Sequence, residues 1–369
     1  MTTLQRTESE PAPWRALPAT VASSLFLDRH AEFWLRELGS IGSLAEIRAR
    51  VVDTIVETAD AKTFVLRPNA RWRGHSAGQY ATIEAEIDGV RVRRCYSISS
   101  APSSRLVSVT VKRLPDGRVS GWLHDNVKPG DVLTLRPAAG EFVLPEPLPE
   151  KLLMLSGGSG ITPVMSMARD LDRRRNIGDL VFVHCARSRD EVIFASALEE
   201  LAERNPGFRL VLFLSADGTG VGRFDEEKLV ELVPDFADRD TFLCGPNGLM
   251  ERVEGLWAEK GAGARLRRER FVAAGVPSLI SAPAARAEIK LVRSGQIILA
   301  NAPGTLLEQL ERGGAKPAYG CRLGICQTCK CRKKSGTVQN LVTGAVSSEP
   351  GEDIQLCISF ARSDLELAL

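Results

Sequence analysis

Three cysteines in one short segment constrain the fold of this chain more than any other feature. Cys321, Cys326 and Cys329 follow the spacing C-x4-C-x2-C, and Cys357 lies 28 positions after Cys329. This spacing is typical of plant-type [2Fe–2S] sites, in which four thiolates hold two irons. The pattern therefore predicts that all four cysteines are metal ligands.

A structural zinc site or a disulfide is the alternative explanation of clustered cysteines. Zinc sites more often present two separated cysteine or histidine pairs, and residues 288–369 contain no histidine, so an iron–sulfur cluster is favoured. Cys331 lies where a strand is expected to begin, and we interpret it as a packed thiol. Cys95, Cys185 and Cys244 are isolated in the sequence, and most isolated cysteines are simply buried.

The pattern of apolar and turn residues divides the rest of the chain into parts of different fold. Residues 46–147 hold short strand-like runs between turn signals, which predicts a small antiparallel β-barrel. In residues 148–275 strands alternate with helices, which predicts a doubly wound parallel α/β sheet. Residues 1–45 form an N-terminal extension, 276–287 a linker and 288–369 a small α+β domain.

The individual elements follow from the same patterns. Barrel strands are expected at 50–56, 79–87, 106–111 and 132–135. In the second domain strands are expected at 151–155, 180–185, 209–214 and 241–244, with helices from Pro163 and at 195–204 and 248–260. The last domain is expected to hold a hairpin of 288–292 with 296–301, a helix at 305–312 and strands at 354–359 and 365–367.

A polar segment ends one of the barrel strands. Strand alternation places Arg94 and Tyr96 on one face, with Ser97 and Ser99 on the other. The tyrosine ring can lie along an isoalloxazine while the arginine meets a phosphate and Ser97 bonds the ring edge, although an ordinary strand explains this segment equally well. A predicted pyrophosphate site favours flavin: Gly117, Val119 and Ser120 precede a short helix at 122–126.

Two glycine-containing turns in the second domain each follow a strand and open a helix. The first carries Gly158, Gly160, Thr162 and Pro163, and the second carries Cys244, Gly245, Pro246 and Met250. Such turns bring backbone N–H groups close to the phosphates of a dinucleotide at the carboxyl edge of the sheet. Arg187 and Arg189 follow the next strand and favour the 2′-phosphate of NADPH, but the acidic residues at 190 and 191 leave NADH open.

Composition excludes several other functions. The formal net charge is only +2, which argues against bulk nucleic-acid binding. No apolar run reaches the length of about 18 residues that a spanning helix needs. The N-terminus mixes acids with its arginine, unlike a secretory signal. A cytoplasmic protein with reduced thiols is therefore expected.

Taken together, these motifs resemble the ferredoxin–NADP reductase superfamily, in its branch of oxygenase and desaturase reductases with a C-terminal ferredoxin domain. The resemblance covers about residues 46–369. It implies a flavin-binding barrel, a nucleotide-binding domain and a β-grasp ferredoxin domain, in that order. It also implies FAD in preference to FMN as the flavin.

The resemblance assigns roles to particular residues. Arg94, Tyr96, Ser97 and Ser99 are expected at the flavin, and Cys244 and Gly245 near the nicotinamide ring. Phe271 matches an aromatic residue that covers the flavin, although a core phenylalanine is equally compatible with the sequence. The residues expected nearest the chemistry are Tyr96, Ser97, Thr162, Cys244 and Phe271.

The implied function is electron transfer from NADPH, or NADH, through FAD and [2Fe–2S] to a partner protein. That partner is expected to be a diiron or Rieske oxygenase, or a membrane desaturase. A non-catalytic redox sensor and a self-contained reductase for a small acceptor are the rival functions. Five basic residues near the cysteines predict a docking surface for an acidic partner, unless they are only solvated charges: Arg322, Lys330, Arg332, Lys333 and Lys334.

Overall fold

The structure is a computed structural model that describes residues 41–43, 45–87, 90–115, 117–216, 224–271, 286–319, 324 and 328–369. The N-terminal extension up to residue 40 and nearly all of the expected linker lie outside these residues. No helix in the described part of the chain is long and apolar enough to span a membrane.

The first domain is an antiparallel barrel of six strands. They are β1 (Ile47–Thr58), β2 (Ala61–Pro68), β3 (Tyr80–Ile87), β4 (Val90–Ser97), β5 (Val107–Lys112) and β6 (Val132–Leu135). The sheet order is β4-β3-β6-β1-β2-β5, and a bridge between Ile98 and Val109 joins its two edges. Side chains that alternate inward, among them Phe64 and Ile83, fill the interior. The predicted barrel is confirmed, with β2 as a strand that the sequence reading did not single out.

One helix of the barrel domain lies between β5 and β6. Helix α1 (Arg118–Asn126) begins directly after Gly117, so it starts four residues earlier than the sequence pattern indicated. This earlier start places the N-terminal turn of the helix, whose backbone N–H groups have no partner within the helix, at the predicted phosphate segment.

The second domain is a parallel sheet with order β11-β10-β7-β8-β9. Its elements are β7 (Lys151–Gly157), α2 (Ile161–Arg173), β8 (Asp179–Ala186), α3 (Ala195–Arg204), β9 (Phe208–Leu214), α4 (Glu226–Leu232), β10 (Asp240–Cys244), α5 (Asn247–Glu259) and β11 (Leu266–Glu269). Apolar clusters pack on both faces of the sheet, which confirms the doubly wound prediction. The edge strand β11 was not predicted, because its basic and acidic residues carry no apolar pattern.

Helix α2 joins the two domains. The apolar cluster around this helix also contains Ala61, Ala77 and Phe142 of the barrel domain. The Ser166 hydroxyl donates to the Ser100 carbonyl at 2.7 Å, and Arg169 Nη1 donates to the Ser99 carbonyl at 2.8 Å. The barrel and the nucleotide sheet therefore share one core, which fixes their relative placement.

The C-terminal domain is a small mixed sheet with one helix. Its elements are β12 (Ala287–Leu291), β13 (Ile297–Ala300), α6 (Leu306–Arg312), β14 (Lys330–Ser335), β15 (Val338–Asn340), β16 (Val346–Ser347), β17 (Asp353–Gln355), β18 (Ser359–Ala361) and β19 (Leu365–Leu367). The larger sheet has order β13-β12-β19-β14-β17, with β12 and β19 parallel. Helix α6 has a capping box formed by Thr305 and Glu308. This is the predicted β-grasp fold.

Two details of this domain differ from the sequence reading. Ala287, expected as the end of the linker, is the first residue of β12. The expected strand at 354–359 is interrupted by a short 3-10 turn, Leu356–Ile358, between β17 and β18. The turn buries Leu356 and Ile358 in the core together with Cys357, which a continuous strand with alternating faces would not do.

Candidate functional site

A cavity of about 670 Å³ opens where the barrel meets the carboxyl edge of the nucleotide sheet. Many of the residues selected from the sequence line this cavity: Arg94, Tyr96, Ser97, Gly117, Val119, Ser120, Thr162 and Phe271. They come from both domains. Segments that are far apart in the sequence therefore form one binding site, of a size suited to a large organic cofactor.

The barrel supplies the wall built on β4 and α1. Burial raises the pKa of the Tyr96 phenol far above its usual value, so the ring is neutral. A Cβ atom on Gly117 would lie 2.2 Å from the Ser120 hydroxyl, so a larger residue where the chain enters helix α1 would displace that hydroxyl. Arg118, which the sequence analysis did not select, also lines the cavity. A neutral aromatic ring, arginines and a glycine-opened helix start fit a flavin with its phosphates.

Ser99 lies behind this wall. It is fully buried, and its hydroxyl donates to the Ser108 carbonyl at 3.2 Å and lies 3.1 Å from the Thr110 hydroxyl. Contrary to the prediction of direct contact with the flavin, the side chain does not line the cavity. The bridge that closes the barrel at Ile98 turns Ser99 toward β5 instead.

The nucleotide sheet supplies the opposite wall. Gly158 and Gly160 form a short 3-10 turn that leads into α2, and the Thr162 hydroxyl donates to the Ser159 carbonyl at 3.0 Å. A Cβ atom on Gly160 would lie 2.2 Å from the Cys244 carbonyl oxygen. Glycine at position 160 therefore allows the turn to lie directly against the end of β10.

The second turn lies just behind this wall. Cys244 is fully buried, and burial raises the pKa of its thiol well above the usual value, so the sulfur is protonated. Pro246 precedes α5, Gly245 touches Gly157, and Pro163 and Met250 are buried inside their helices. None of these residues lines the cavity itself. In this structure these residues instead support the turn and the strand end whose neighbouring residues line the cavity.

Glu269 is a site residue that the sequence analysis missed. It lies opposite Cys244 in the pairing of β11 with β10, lines the cavity and hydrogen-bonds the Ser97 side chain. Burial raises the pKa of its carboxyl to about 8. Its Oε2 atom is buried and has no hydrogen-bond partner among the described residues. A protonated carboxyl thus faces the cavity, with one oxygen available to a bound group.

The next two residues complete this side of the cavity. Arg270 Nη2 donates to both carboxylate oxygens of Glu254 on α5 at 2.7 Å. Phe271 is partly buried against the apolar cluster around α2 and also lines the cavity. A sequence signal existed in this segment, because the carboxyl end of a strand in a doubly wound sheet points to the ligand crevice. The polar composition of β11 concealed that strand.

Arg187 and Arg189 lie beyond β8 and do not line the cavity. Arg187 forms an ion pair with Glu191 at 2.9 Å, and its side chain is 74% exposed. Arg189 forms an ion pair with Glu199. Both guanidinium groups therefore already have acidic partners, and a 2′-phosphate would have to compete with those carboxylates.

The C-terminal domain brings two of the predicted metal ligands together. The Cys329 and Cys357 sulfurs are buried and 3.2 Å apart, within the span of two ligands on one metal ion. The Gly324 backbone N–H donates to Cys357 Sγ at 3.3 Å, the kind of contact that tunes iron–sulfur centres. Two thiols beside an inward backbone N–H fit an iron–sulfur cluster. Cys321, Cys326 and Arg322 lie outside the described residues.

The other cysteine of this segment is part of the core. Cys331 is buried on β14, and burial raises the pKa of its thiol. Its sulfur contacts the carbonyl of Arg332 at 3.7 Å. The structure thus gives this thiol a packing role inside the sheet.

The predicted basic surface is wrong at one position. Lys333 is fully buried, and its Nζ donates to the carbonyls of Gly336 and Ser347 at 3.0 and 2.9 Å. It lies on the buried face of β14 together with Cys331. Lys330, Arg332 and Lys334 alternate with these two residues and are exposed. Strand alternation therefore removes Lys333 from any docking surface.

Comparisons with known proteins agree with this three-part arrangement. Residues 48–144 match the oxidoreductase FAD-binding domain, residues 154–255 the oxidoreductase NAD-binding domain and residues 289–362 the 2Fe-2S iron-sulfur cluster binding domain. The order of these three matches along the chain is the order of the domains described above.

Full-length relatives share the same organisation. An NADPH oxidoreductase from Mycobacterium tuberculosis is 37% identical over 360 residues, which cover 96% of this chain and 92% of the relative. A glycine betaine monooxygenase reductase subunit from Pseudomonas aeruginosa is 36% identical over 343 residues, covering 86% and 93%. The fold of phthalate dioxygenase reductase superposes with a TM-score of 0.63 at 24% identity, covering 88% of this chain and 98% of that one.

The identity to these relatives and the match along nearly their whole length establish the family. The cavity lies between the two domains that match FAD-binding and NAD-binding models, and the paired thiols lie in the domain that matches the 2Fe-2S model. The chain belongs to the ferredoxin–NADP reductase superfamily, as a three-domain NAD(P)H oxidoreductase with FAD, NAD(P)H and [2Fe–2S] as cofactors.

Proposed function

We propose that this protein is the reductase component of an oxygenase system, and that it passes electrons from NAD(P)H to a separate partner protein. The observation that carries this proposal is the single cavity lined by both the barrel and the nucleotide sheet. FAD held in this cavity would accept a hydride from the nucleotide, and [2Fe–2S] held by the cysteines of the C-terminal domain would carry electrons singly, so the two sites together would link two-electron to one-electron chemistry.

The residues of the cavity bind and orient the cofactors and protect the reacting atoms from water. Tyr96 and Phe271 offer aromatic surfaces to a flat ring, and Arg94, Arg118 and the start of α1 attract phosphates. The neutral Cys244 thiol adds no charge beside the nicotinamide site. Closely packed walls from two domains keep water away from the reacting atoms.

Glu269 and Ser97 hold a proton in the wall of the cavity. With a pKa of about 8, the Glu269 carboxyl retains its proton at neutral pH and loses it in alkaline solution. The Ser97 side chain, hydrogen-bonded to that carboxyl, links it to the strand that carries Tyr96. This pair holds a proton next to the position where a hydride arrives, and it adds no negative charge there.

The choice of nucleotide is part of the proposal. We propose NADPH as the preferred donor, with Arg187 and Arg189 exchanging their acidic partners for the 2′-phosphate. The similarity to a protein named NADPH oxidoreductase supports this preference. NADH then binds more weakly, because it lacks the phosphate.

The partner is proposed to be an oxygenase, of the diiron or Rieske kind, or a membrane desaturase. One relative carries the name of a monooxygenase reductase subunit, which supports an oxygenase. We propose that the exposed basic residues Lys330, Arg332 and Lys334 face the partner, with Lys330 already 3.2 Å from Asp353. A cytoplasmic location completes the proposal, since cysteines clustered for metal or redox chemistry are typical of a compartment that keeps thiols reduced.

Anaerobic titration with NADPH tests this function. The flavin absorption should bleach first, and the paramagnetic signal of a reduced [2Fe–2S] cluster should follow. Sustained reduction of ferricyanide or cytochrome c is expected, whereas a redox sensor would show a single reduction without turnover. Absence of flavin bleaching by either NADPH or NADH would refute the proposal.

A further inference from the structure

Electron transfer of this kind leaves a proton behind in the cavity. A hydride carries two electrons and one proton, and the two electrons depart singly through the iron–sulfur cluster. One proton per turnover must therefore return to solvent, since the partner receives electrons only. This inference rests on the proposed function, and it concerns the route of that proton.

The Glu269 carboxyl by itself does not provide a route. It is partly buried in the cavity wall, and among the described residues its Oε2 atom is buried and has no onward hydrogen-bond partner. A proton held there remains at the cavity. A continuous path needs groups that both donate and accept hydrogen bonds, and it must end at the surface.

The barrel wall contains such a path. Thr110 on β5 lines the cavity, and its hydroxyl lies 2.7 Å from the hydroxyl of Thr63 on β2. The Thr63 hydroxyl is 2.6 Å from Oε1 of Glu57 on β1, to which it donates. The two threonines are directly opposite each other in the pairing of β2 with β5. Three adjacent strands thus form one line of oxygen atoms.

The two ends of this line differ in their access to water. Thr63 is 3% and Thr110 5% exposed, so the hydroxyls are shielded from solvent. Glu57 is only half-buried and so reaches the surface. The line therefore runs from the cofactor cavity, through two hydroxyls shielded from solvent, to a carboxylate in contact with solvent.

Strand formation does not require threonine at positions 63 and 110. Val65, Val109 and Val111 occupy neighbouring positions on β2 and β5, and valine has the same shape as threonine without the hydroxyl. Burying a hydroxyl costs free energy unless it is hydrogen-bonded. The paired threonines satisfy each other, which stabilises the sheet but also completes a conducting chain.

We propose that Thr110, Thr63 and Glu57 form a proton relay between the flavin cavity and solvent. Thr110 Oγ accepts a proton from the cavity and passes its own to Thr63 Oγ, which passes its own to the Glu57 carboxylate. Glu57 then releases one proton to water, and rotation of the two hydroxyls restores the starting arrangement. One proton enters and one leaves, and no electron moves along this path.

Thr63→Val is the variant that interrupts the relay while keeping the side-chain shape. Thr82→Val is the matched control, because Thr82 is a buried threonine of the same barrel whose hydroxyl contacts Cys95 Sγ outside the relay. Thr63→Ser restores the hydroxyl and should restore the relay. Equal thermal unfolding midpoints of the two valine variants would show that the barrel is equally intact.

Proton release is measured on the holoprotein after anaerobic reduction with dithionite in unbuffered solution, followed by rapid mixing with ferricyanide and an indicator dye. In the wild type and in Thr82→Val, the proton should appear together with flavin reoxidation. In Thr63→Val and Glu57→Gln, it should lag behind reoxidation by about a hundredfold, within the usual range for loss of a positioned proton-transfer group. Thr63→Ser should behave as the wild type.

Infrared difference spectra of the reduced and oxidised protein give a readout that does not depend on turnover. The carboxyl band of Glu57, identified by its loss in Glu57→Gln, should shift on reduction in the wild type and in Thr82→Val and should not shift in Thr63→Val. Prompt proton release in Thr63→Val together with an unchanged carboxyl band would overturn the relay. Because dithionite replaces the nucleotide, this result is separate from a failure of NAD(P)H to reduce the flavin.

Discussion

The side chain of Ser97 on the barrel hydrogen-bonds the carboxyl of Glu269 on the last strand of the nucleotide sheet. These residues are far apart in the sequence, and both line the cofactor cavity. Neither residue could take its position unless helix α2 held the two domains in a single core. The position of the barrel wall of the cavity therefore depends on the position of the nucleotide sheet.

Glu269→Gln should change how hydride transfer depends on pH. Burial raises the pKa of the wild-type carboxyl to about 8, so its proton and hence the transfer rate should be lost as pH rises through 8. The glutamine variant should be slower at pH 7 and lack that alkaline decline. Stopped-flow flavin reduction between pH 6 and about 10 measures both properties, and an alkaline decline that persists in the variant would assign it to another group.

The same substitution should alter stability. The Glu269 carboxyl keeps its proton to about pH 8 in the folded chain, whereas the ordinary value is 4.5. The folded state binds more protons between these values, so this group lowers stability as pH rises through that window. The difference in unfolding midpoint between Glu269→Gln and wild type should grow in favour of the variant from pH 5 to about 8.

Cluster assembly should depend on Cys357 but not on Cys331. Cys357→Ser removes a sulfur that lies 3.2 Å from Cys329 Sγ, so the visible absorption and paramagnetic signal of the cluster should be lost while flavin remains bound. Cys331→Ser is the control, because this thiol is packed in the sheet core. A variant pair with the opposite behaviour would show that the fourth ligand is misassigned.

Gly160→Ala should weaken nucleotide binding. The added methyl group would lie 2.2 Å from the Cys244 carbonyl oxygen, and backbone on both sides must shift to admit it. Such overpacking costs about 1–3 kcal/mol, and loss of that much binding free energy would lower kcat/KM for NADPH by about 5- to 150-fold. Gly255→Ala on α5 has open space around it and should leave kcat/KM unchanged. Equal values for the two variants would mean that the turn does not contact the nucleotide.

Replacement of Arg187 and Arg189 by alanine should reduce the preference for NADPH. If these exposed arginines contact the 2′-phosphate, KM for NADPH should rise by about tenfold and KM for NADH should change little. The double variant Glu191→Gln with Glu199→Gln is the complementary test, since it frees both guanidinium groups from their ion pairs. It should lower KM for NADPH. Parallel changes for both nucleotides would limit these arginines to surface charge.

Charge reversal at Arg332 and Lys334 should slow electron delivery to the partner at low ionic strength. The effect on association should be about tenfold and should disappear in high salt, because steering by exposed charges is screened. Ferricyanide reduction should be unaffected. Lys260→Glu, an exposed lysine on the nucleotide domain, is the control. A salt-independent partner rate would make these residues solvated charges only.

Local sequence patterns were sufficient for most of the architecture. Three patterns depend only on neighbours within a few residues, and they could therefore be predicted from the sequence. They are the cysteine spacing, the two glycine turns after strands and the alternation of strands with helices. The helix at Ala195–Arg204 and the strand at Leu365–Leu367 match their predicted ranges. A polar edge strand such as β11 has no apolar period, and its existence follows only from pairing with β10.

Tertiary structure decided which charged residues face the cavity and which face solvent. Glu269 lines the site because the register of β11 against β10 places it opposite Cys244. Lys333 is not part of the basic surface because its side chain on β14 points into the core. The line from Thr110 through Thr63 to Glu57 likewise exists only across three paired strands. Sequence spacing records neighbours along one strand, whereas contact across strands depends on register, which the packing of the whole domain determines.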